Sequence, residues 1–329
     1  MDYKGRTVLV TGADGFIGSH LVERLTELGA RVRAFCLYTS QGSCGWIDSL
    51  APEVRARLDV RRGDVRDSRF VEEACEGADC VFHLAALIAI PYSYQAPESF
   101  VETNMRGTLH VLEAVRRRSV RRLVSASTSE VYGTPQALPI RETHALGAQS
   151  PYAATKIAAD QLALAYHRSF ATPVVVLRPF NTYGPRQSPR AVLPTILLQL
   201  LSGRKEVLLG RLDPKRDLTY VSDTVEGFVR AGLAEGIEGE TIQLGTGRAV
   251  SVGDLFQAAC AALGVRATVR QEERRLRPDA SEVLVLESDP SLAGRRLGWS
   301  SRVALEEGIR RTAEWFRAHR GRYAEDFLV

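Results

Sequence analysis

No apolar run in the sequence approaches the ~18 residues that a membrane span requires; the longest, Val81 to Ile90, falls well short. The opening residues MDYKGRTVLV carry no basic stretch ahead of an apolar one, so no secretory signal is read. Cys36, Cys44, Cys75, Cys80 and Cys260 are odd in number and show no CxxC or histidine-rich spacing, which argues against a disulfide framework and against a zinc site. An excess of one charge is also lacking: the formal net charge is +4 and the arginines are dispersed. The short cluster Arg116, Arg117, Arg118, Arg121 and Arg122 reads as a solvated helix terminus, and no aromatics interleave it as in a nucleic-acid surface. The expectation is a cytoplasmic protein with reduced cysteines, no metal, no membrane and no nucleic-acid partner.

What is present is enough apolar residue, 45% of 329 positions, for a sizeable core and about two domains. TVLV (7–10), RVRAFC (31–36), DCVFHLAA (79–86), RRLVSA (121–126) and PVVVLRPF (173–180) are continuous apolar strands. Between them lie helical patterns, such as Ile17, Leu21, Leu25 and Leu28, or Val101, Met105, Leu109, Leu112 and Val115. Strands apolar on both faces and alternating with amphipathic helices predict an α/β protein with a Rossmann-type doubly wound parallel sheet. After residue 180 the elements shorten around NTYGPRQSPR, and one further strand-like run, TIQLGTG (241–247), follows. We therefore expect a sheet domain of residues 1–178 plus about 217–247. A smaller mixed C-terminal domain of about 179–216 plus 248–329 would bind substrate.

Two motifs carry chemistry. Gly12-Ala13-Asp14-Gly15-Phe16-Ile17-Gly18 joins the first strand to the first helix. Glycines there allow a tight turn and close approach of backbone amides to a pyrophosphate, at a helix end that attracts negative charge. Tyr152 and Lys156 lie one turn apart at the head of the next long helical pattern. A nearby ammonium lowers a phenol from its usual ~10 toward use as a base. The chain has only four lysines, at 4, 156, 205 and 215, against 39 arginines, so a lysine here marks a place where a compact charge is wanted.

With these motifs, Asp64 in GDVRD, HLAA (83–86), ETNMRGT (102–108), RPFNTYGPR (178–186) and RDLTYVSD (216–223), the sequence resembles the extended short-chain dehydrogenase/reductases. Within them it is similar to the nucleotide-sugar 4,6-dehydratases acting on UDP-N-acetylglucosamine-type substrates, through LIAIPYSYQAPESF and RPFNTYGPRQSPRAVLPTI. The resemblance implies that Thr128 bonds the sugar O4, Tyr152 takes its proton and Lys156 binds the cofactor ribose. In STSEVYG (127–133), it implies that Glu130 is the base for C5 and that Ser129 relays a proton to the departing 6-hydroxyl. Oxidation at C4, loss of water across C5 and C6, and hydride return to C6 would give a 4-keto-6-deoxy sugar. UDP-glucuronate decarboxylases share STSEVYG, and a 4-epimerase is the further alternative. A non-catalytic dinucleotide sensor is the reading from another class, disfavoured by the presence of all four site residues.

The resemblance further implies cofactor contacts from Gly12, Asp14, Gly15, Phe16, Ile17, Gly18, Asp64, Val65, Leu84, Ala85 and Ala86, with Tyr152 and Lys156. Ile90 would face an N-acetyl group, and Asn181, Arg186, Arg216 and Arg277 the nucleotide diphosphate. The end of the second strand, where a carboxylate normally receives the NAD ribose, is Cys36. With Arg33, Thr39 and Ser40 nearby, this leans toward NADP over NAD as the recycled NAD(P) cofactor. A homodimer through a four-helix bundle of residues 98–117 and 151–169 is also implied.

Overall fold

The computed structural model describes residues 2–323. Its strands are β1 (Thr7–Thr11), β2 (Arg31–Leu37), β3 (Asp59–Gly63), β4 (Cys80–His83), β5 (Arg122–Ala126), β6 (Val174–Pro179), β7 (Asn181–Tyr183), β8 (Glu206–Leu209), β9 (Lys215–Tyr220), β10 (Thr241–Leu244), β11 (Ala249–Ser251), β12 (Thr268–Gln271) and β13 (Val285–Leu286). Seven of them form a parallel sheet in the order β10-β6-β5-β4-β1-β2-β3. Val8 and Val10 of β1 pack into one core, with Phe82, Val124 and Val175, while Leu9, Val81, Leu123 and Val174 enter a second core on the opposite face. That alternation explains why the central strands read as unbroken apolar runs. Helices Phe16–Glu27 and Val221–Leu233 cover the first face, and Ser68–Cys75, Gly107–Arg117 and Pro151–Phe170 the second.

β3 was not visible as an apolar strand because it is the sheet edge. Asp59, Arg61 and Arg62 are exposed, and the segment pairs on one side only, with β2. The late run at 241–244 does return to the large sheet, as β10 beside β6. The chain order reverses at β1, which lies between β4 and β2, so the carboxyl ends of β1 and β4 flank the crevice where such sheets take ligands.

The helix Pro151–Phe170 starts where the sequence signals it. Ser150 Oγ accepts from the Ala153 amide at 3.1 Å, Pro151 opens the first turn, and Ala171 in a left-handed conformation closes the helix.

A second, small sheet is centred on β9, which pairs with β7, β11 and β13; β8 and β12 form a two-stranded unit. Its key residue is Asp217, fully buried. One carboxylate accepts from the amides of Thr246 (2.7 Å), Gly247 (2.9 Å) and Ser288 (3.2 Å) and from the hydroxyls of Thr246 and Ser288, both at 2.6 Å. Asp223 similarly receives the amides of Arg302 and Val303, at 2.8 and 2.9 Å. The two acids of RDLTYVSD thus fasten loops, Asp217 to the small sheet and Asp223 to the helix Val221–Leu233. Asp217→Ala leaves several buried donors unpaired and should lower unfolding free energy by about 3–5 kcal/mol, read from urea melts; a change below about 1 kcal/mol would contradict this assignment.

Candidate functional site

Gly12 has φ +67°, and a Cβ there would sit 2.7 Å from the Ala85 amide nitrogen. A Cβ on Gly18 would sit 2.0 Å from the Gly12 carbonyl oxygen. These two glycines are required by packing inside the protein. Gly15 is different: it is exposed, and a Cβ would meet only Gly12 O at 3.2 Å. It precedes the helix Phe16–Glu27 and supplies no side-chain cap, so the first helical amides point outward without one. This cradle, open on the side of Gly15 and closed on the side of Gly12, fits a dinucleotide pyrophosphate.

Across the switch point, Thr11 Oγ1 lies 2.8 Å from His83 Nδ1 and accepts from the amides of Leu84 and Ala85, each at 3.2 Å. That holds residues 84–86 against the glycine loop. His83 is buried, with Nε2 3.1 Å from Thr108 Oγ1; burial, with a smaller push from Lys156, lowers its pKa to about 3. Asp64 receives Arg66 in an ion pair that pulls its carboxyl below the ordinary range, while Val65 is buried beside Gly107.

The STSEVYG turn follows β5. Thr128 caps the short helix Ser129–Tyr132, its Oγ1 accepting from the Glu130 amide at 3.2 Å. Ser129 is buried, Glu130 half-buried, and Tyr152 and Lys156 are both buried. Burial pushes the Tyr152 phenol above its ordinary value; a hydrogen bond with Thr128 opposes this, and the charges of Glu130 and Asp160 add to it. The structure therefore joins Thr128 to Tyr152 and places Glu130 in the same turn as Thr128. The Lys156 ammonium donates to the Ala126 carbonyl at 2.7 Å, and burial lowers its own pKa.

Behind this cluster is a network that sequence reasoning did not find. Asp160, two turns beyond Tyr152, accepts from Ser127 Oγ at 2.7 Å and pairs with Arg178 at 2.9 Å, with both side chains almost fully buried. Arg178 donates to Tyr132 Oη at 3.2 Å, and Tyr132 donates to Gln243 at 3.0 Å. Asn104, also missed, exchanges bonds with the Leu87 backbone (2.8 and 2.9 Å) and donates to Thr155 at 3.1 Å. The only advance signals were a carboxylate on an apolar helix face and the asparagine of ETNMRGT.

Ile90 packs with Phe100 and Tyr152, so the apolar stretch 87–90 does border the tyrosine. Arg216 donates to Val283 O at 2.7 Å and pairs with Glu282 at 3.2 Å; Arg277 lies 3.9 Å from the same carboxylate. Asn181 Oδ1 and one Arg277 terminal nitrogen are buried with no hydrogen-bond partner among the described residues. A cleft of about 830 Å³ opens beside Arg277, lined also by Arg211, Leu212, Val269 and Leu276. Arg186 is not part of that group: it pairs with Glu23 at 2.6 Å and donates to Ser19 at 3.3 Å, on the helix Phe16–Glu27. Among the described residues, no cluster of His, Cys, Asp or Glu could hold a metal, and no helix is long and apolar enough to cross a membrane.

A tyrosine and a lysine one helical turn apart, beside a glycine cradle at the switch point of a parallel sheet, define the short-chain dehydrogenase/reductase class. More narrowly, the chain belongs to the family described as GDP-mannose 4,6 dehydratase, which it matches over residues 9–312. It is 34% identical over 325 residues to a dTDP-glucose 4,6-dehydratase of Actinoplanes sp., covering 95% of this chain and 98% of the relative. It is also 34% identical to a UDP-glucose 4-epimerase of Mycolicibacterium smegmatis, covering 94% and 98%. Among solved structures, the dTDP-glucose 4,6-dehydratase DesIV of Streptomyces venezuelae, determined with NAD bound, superposes with a TM-score of 0.85 at 30% identity, covering 96% of this chain and 98% of that one. The UDP-glucuronic acid 4-epimerase of Bacillus cereus gives 0.86 at 29%, covering 95% and 99%. The protein is thus an NAD(P)-dependent enzyme of the nucleotide-sugar dehydratase and epimerase group.

Two outcomes follow. Asp160→Ala strands the buried Arg178 charge and should cost about 3–5 kcal/mol in a denaturant melt; a loss below about 1 kcal/mol would mean that the pair does not anchor the site. For His83, the folded pKa of about 3 lies below the unfolded 6.5, so the unfolded chain binds a proton the native state does not. Stability should fall as pH drops through that window, by up to about 1.4 kcal/mol per unit for this residue. His83→Gln should flatten the dependence by that amount, and an unchanged slope would show that His83 is not its source.

Proposed function

We propose that the protein is a nucleotide-sugar 4,6-dehydratase that makes a 4-keto-6-deoxy sugar nucleotide from a UDP-N-acetylhexosamine. The observation that carries the reading is a carboxylate, Glu130, in the short helix capped by Thr128, the residue that hydrogen-bonds the Tyr152 phenol, so a base additional to the phenol is available in the same turn. Thr128 bonds the substrate O4 and Tyr152 takes its proton. Positive charge brought into the cleft on binding lowers the buried phenol toward that task. Lys156 then holds the cofactor ribose hydroxyls. When bound at the glycine loop, nicotinamide supplies a reversible hydride acceptor. Glu130 removes the C5 proton, which a C4 ketone acidifies, and Ser129 relays a proton from protonated Glu130 or water to the 6-hydroxyl, which departs as water.

The cofactor is held by Gly12, Asp14, Gly15, Phe16, Ile17, Gly18, Asp64, Val65, Leu84, Ala85 and Ala86. The substrate diphosphate is gripped by Arg216, Arg277 and Asn181; the unpaired buried terminal nitrogen of Arg277 supports that role, while Arg216 is already paired with Glu282. Arg186 is the weaker part of that set, since Glu23 already neutralises it. Ile90, beside Tyr152, supports an apolar substituent such as an N-acetyl methyl.

We infer a cytoplasmic homodimer. An apolar groove of about 660 Å³ between the helical segments 101–117 and 151–170, lined by Val101, Met105, Leu109, Leu162 and Ala165, supports a four-helix bundle with a second copy. The domain division proposed is that expected above, except that 217–220 fall in β9 of the small sheet, with substrate held between the large and small sheets.

The alternatives, a UDP-glucuronate decarboxylase or a 4-epimerase, separate by product mass when the enzyme is given a panel of UDP-, dTDP- and GDP-sugars. Loss of water supports the proposal; loss of carbon dioxide or no mass change sinks it. Glu130→Gln keeps shape and hydrogen bonding but removes the base. Water loss and solvent-deuterium exchange at C5 should both fall by about 10²–10⁴-fold, while a single turnover still oxidises C4. Near-normal elimination by that variant would move the base elsewhere.

A further inference from the structure

The carboxylate that the second strand lacks is present at its end by another route. Cys36 is fully buried and lies in the core, with its sulfur against the Ala34 carbonyl, so it does not face the crevice. Asp14, between the glycines of the loop, reaches across instead: its Oδ2 accepts from the Leu37 amide at 3.3 Å, one residue past Cys36. The Asp14 backbone is fixed in turn, since its carbonyl accepts from the Trp46 amide at 3.0 Å and Gly45 packs against it so closely that a Cβ would sit 2.6 Å away.

Two of the groups that the sequence offered to a 2′-phosphate are engaged elsewhere. Arg33 pairs with Asp59 at 3.0 Å and donates to the carbonyls of Ala74 and Glu76. Thr39 donates to Ser43 O at 3.4 Å within its own loop. The nearest strand cation, Arg62, is exposed and directs its Nε at Cys44 Sγ, 3.2 Å away.

We propose that Asp14 is the cofactor-specificity residue, accepting the adenosine ribose diol of NAD and excluding NADP, in place of the carboxylate normally carried by the second strand. This rests on the dinucleotide-dependent reading above and reverses the lean toward NADP that Cys36 suggested. A carboxylate that accepts a 2′-hydroxyl repels a 2′-phosphate, so one side chain performs both selections.

The test equilibrates the purified enzyme with equal, excess NAD and NADP, desalts it, and quantifies the retained dinucleotides by mass. The wild type should retain NAD over NADP by about 100-fold or more. Asp14→Asn keeps an oxygen for the Leu37 amide; its NAD-to-NADP ratio should collapse by about 10- to 100-fold, with thermal melting confirming that it folds. Asp14→Glu keeps the charge and should still exclude NADP while holding NAD less tightly. A wild type that retains both equally, or an Asn variant that still discriminates, overturns the inference alone. A NADP preference lost in Arg62→Gln would also overturn it and assign Arg62 instead. A wild type that retains neither overturns the dinucleotide reading and this inference together.

Discussion

The buried pair of Asp160 and Arg178 is the constraint on which the site depends. Two charges removed from water are costly unless each is fully paired, and here each is also hydrogen-bonded onward: Asp160 to Ser127, and Arg178 to Tyr132. Those partners belong to different elements. Asp160 lies on the helix that carries Tyr152 and Lys156, Arg178 on β6, Ser127 and Tyr132 at the two sides of the turn that carries Thr128 and Glu130, and Gln243 on β10. Shifting the helix or β6 by an ångström would leave a buried charge unpaired, and shifting the others would leave buried polar groups without their partners. The turn and the helix are therefore held in one register, which is what a hydroxyl, a carboxylate and a phenol need if they are to act on adjacent atoms of one substrate.

A second constraint works at the other side of the crevice. Gly12 lies against Ala85, and Thr11 gathers His83, Leu84 and Ala85, so β1 and β4 end in contact and the helix after the glycine loop starts at the open edge between them. The two constraints meet through Asn104, which ties residue 87 to the helix bearing Tyr152. The dinucleotide cradle and the tyrosine cluster are thus parts of one rigid frame. The small sheet, fastened by Asp217, brings Arg216 and Arg277 around Glu282.

Much of this was legible in the sequence, for reasons that follow from burial. Strands covered on both faces must be apolar throughout, so β1, β2, β4, β5 and β6 were readable, whereas β3, an edge strand with exposed arginines, had no such signature. Gly12, Gly18, Tyr152 and Lys156 stood out because few residue types satisfy their geometry. Asp160 and Asp217 did not, since a single carboxylate in a sequence gives no sign of which distant amides or guanidinium it will meet. The setting of Tyr152 was not legible for a related reason: helical spacing with Lys156 gives a shared face, but the burial that raises the phenol and the Ala126 carbonyl that receives the ammonium come from distant parts of the chain. Arg33 and Arg186 were candidates by type alone, and each proved to be neutralised by a neighbouring acid.

Overall similarity does not separate dehydration from epimerisation, because a dehydratase and an epimerase match this chain equally well at 34% identity. The distinction is made locally, by whether a base beside Tyr152 removes the C5 proton before hydride returns. A UDP-sugar substrate carrying deuterium at C4 reads this directly. The account predicts a product lighter by one water, with the label moved to C6 of the same molecule. Label returned to C4 in an epimer of unchanged mass would contradict it.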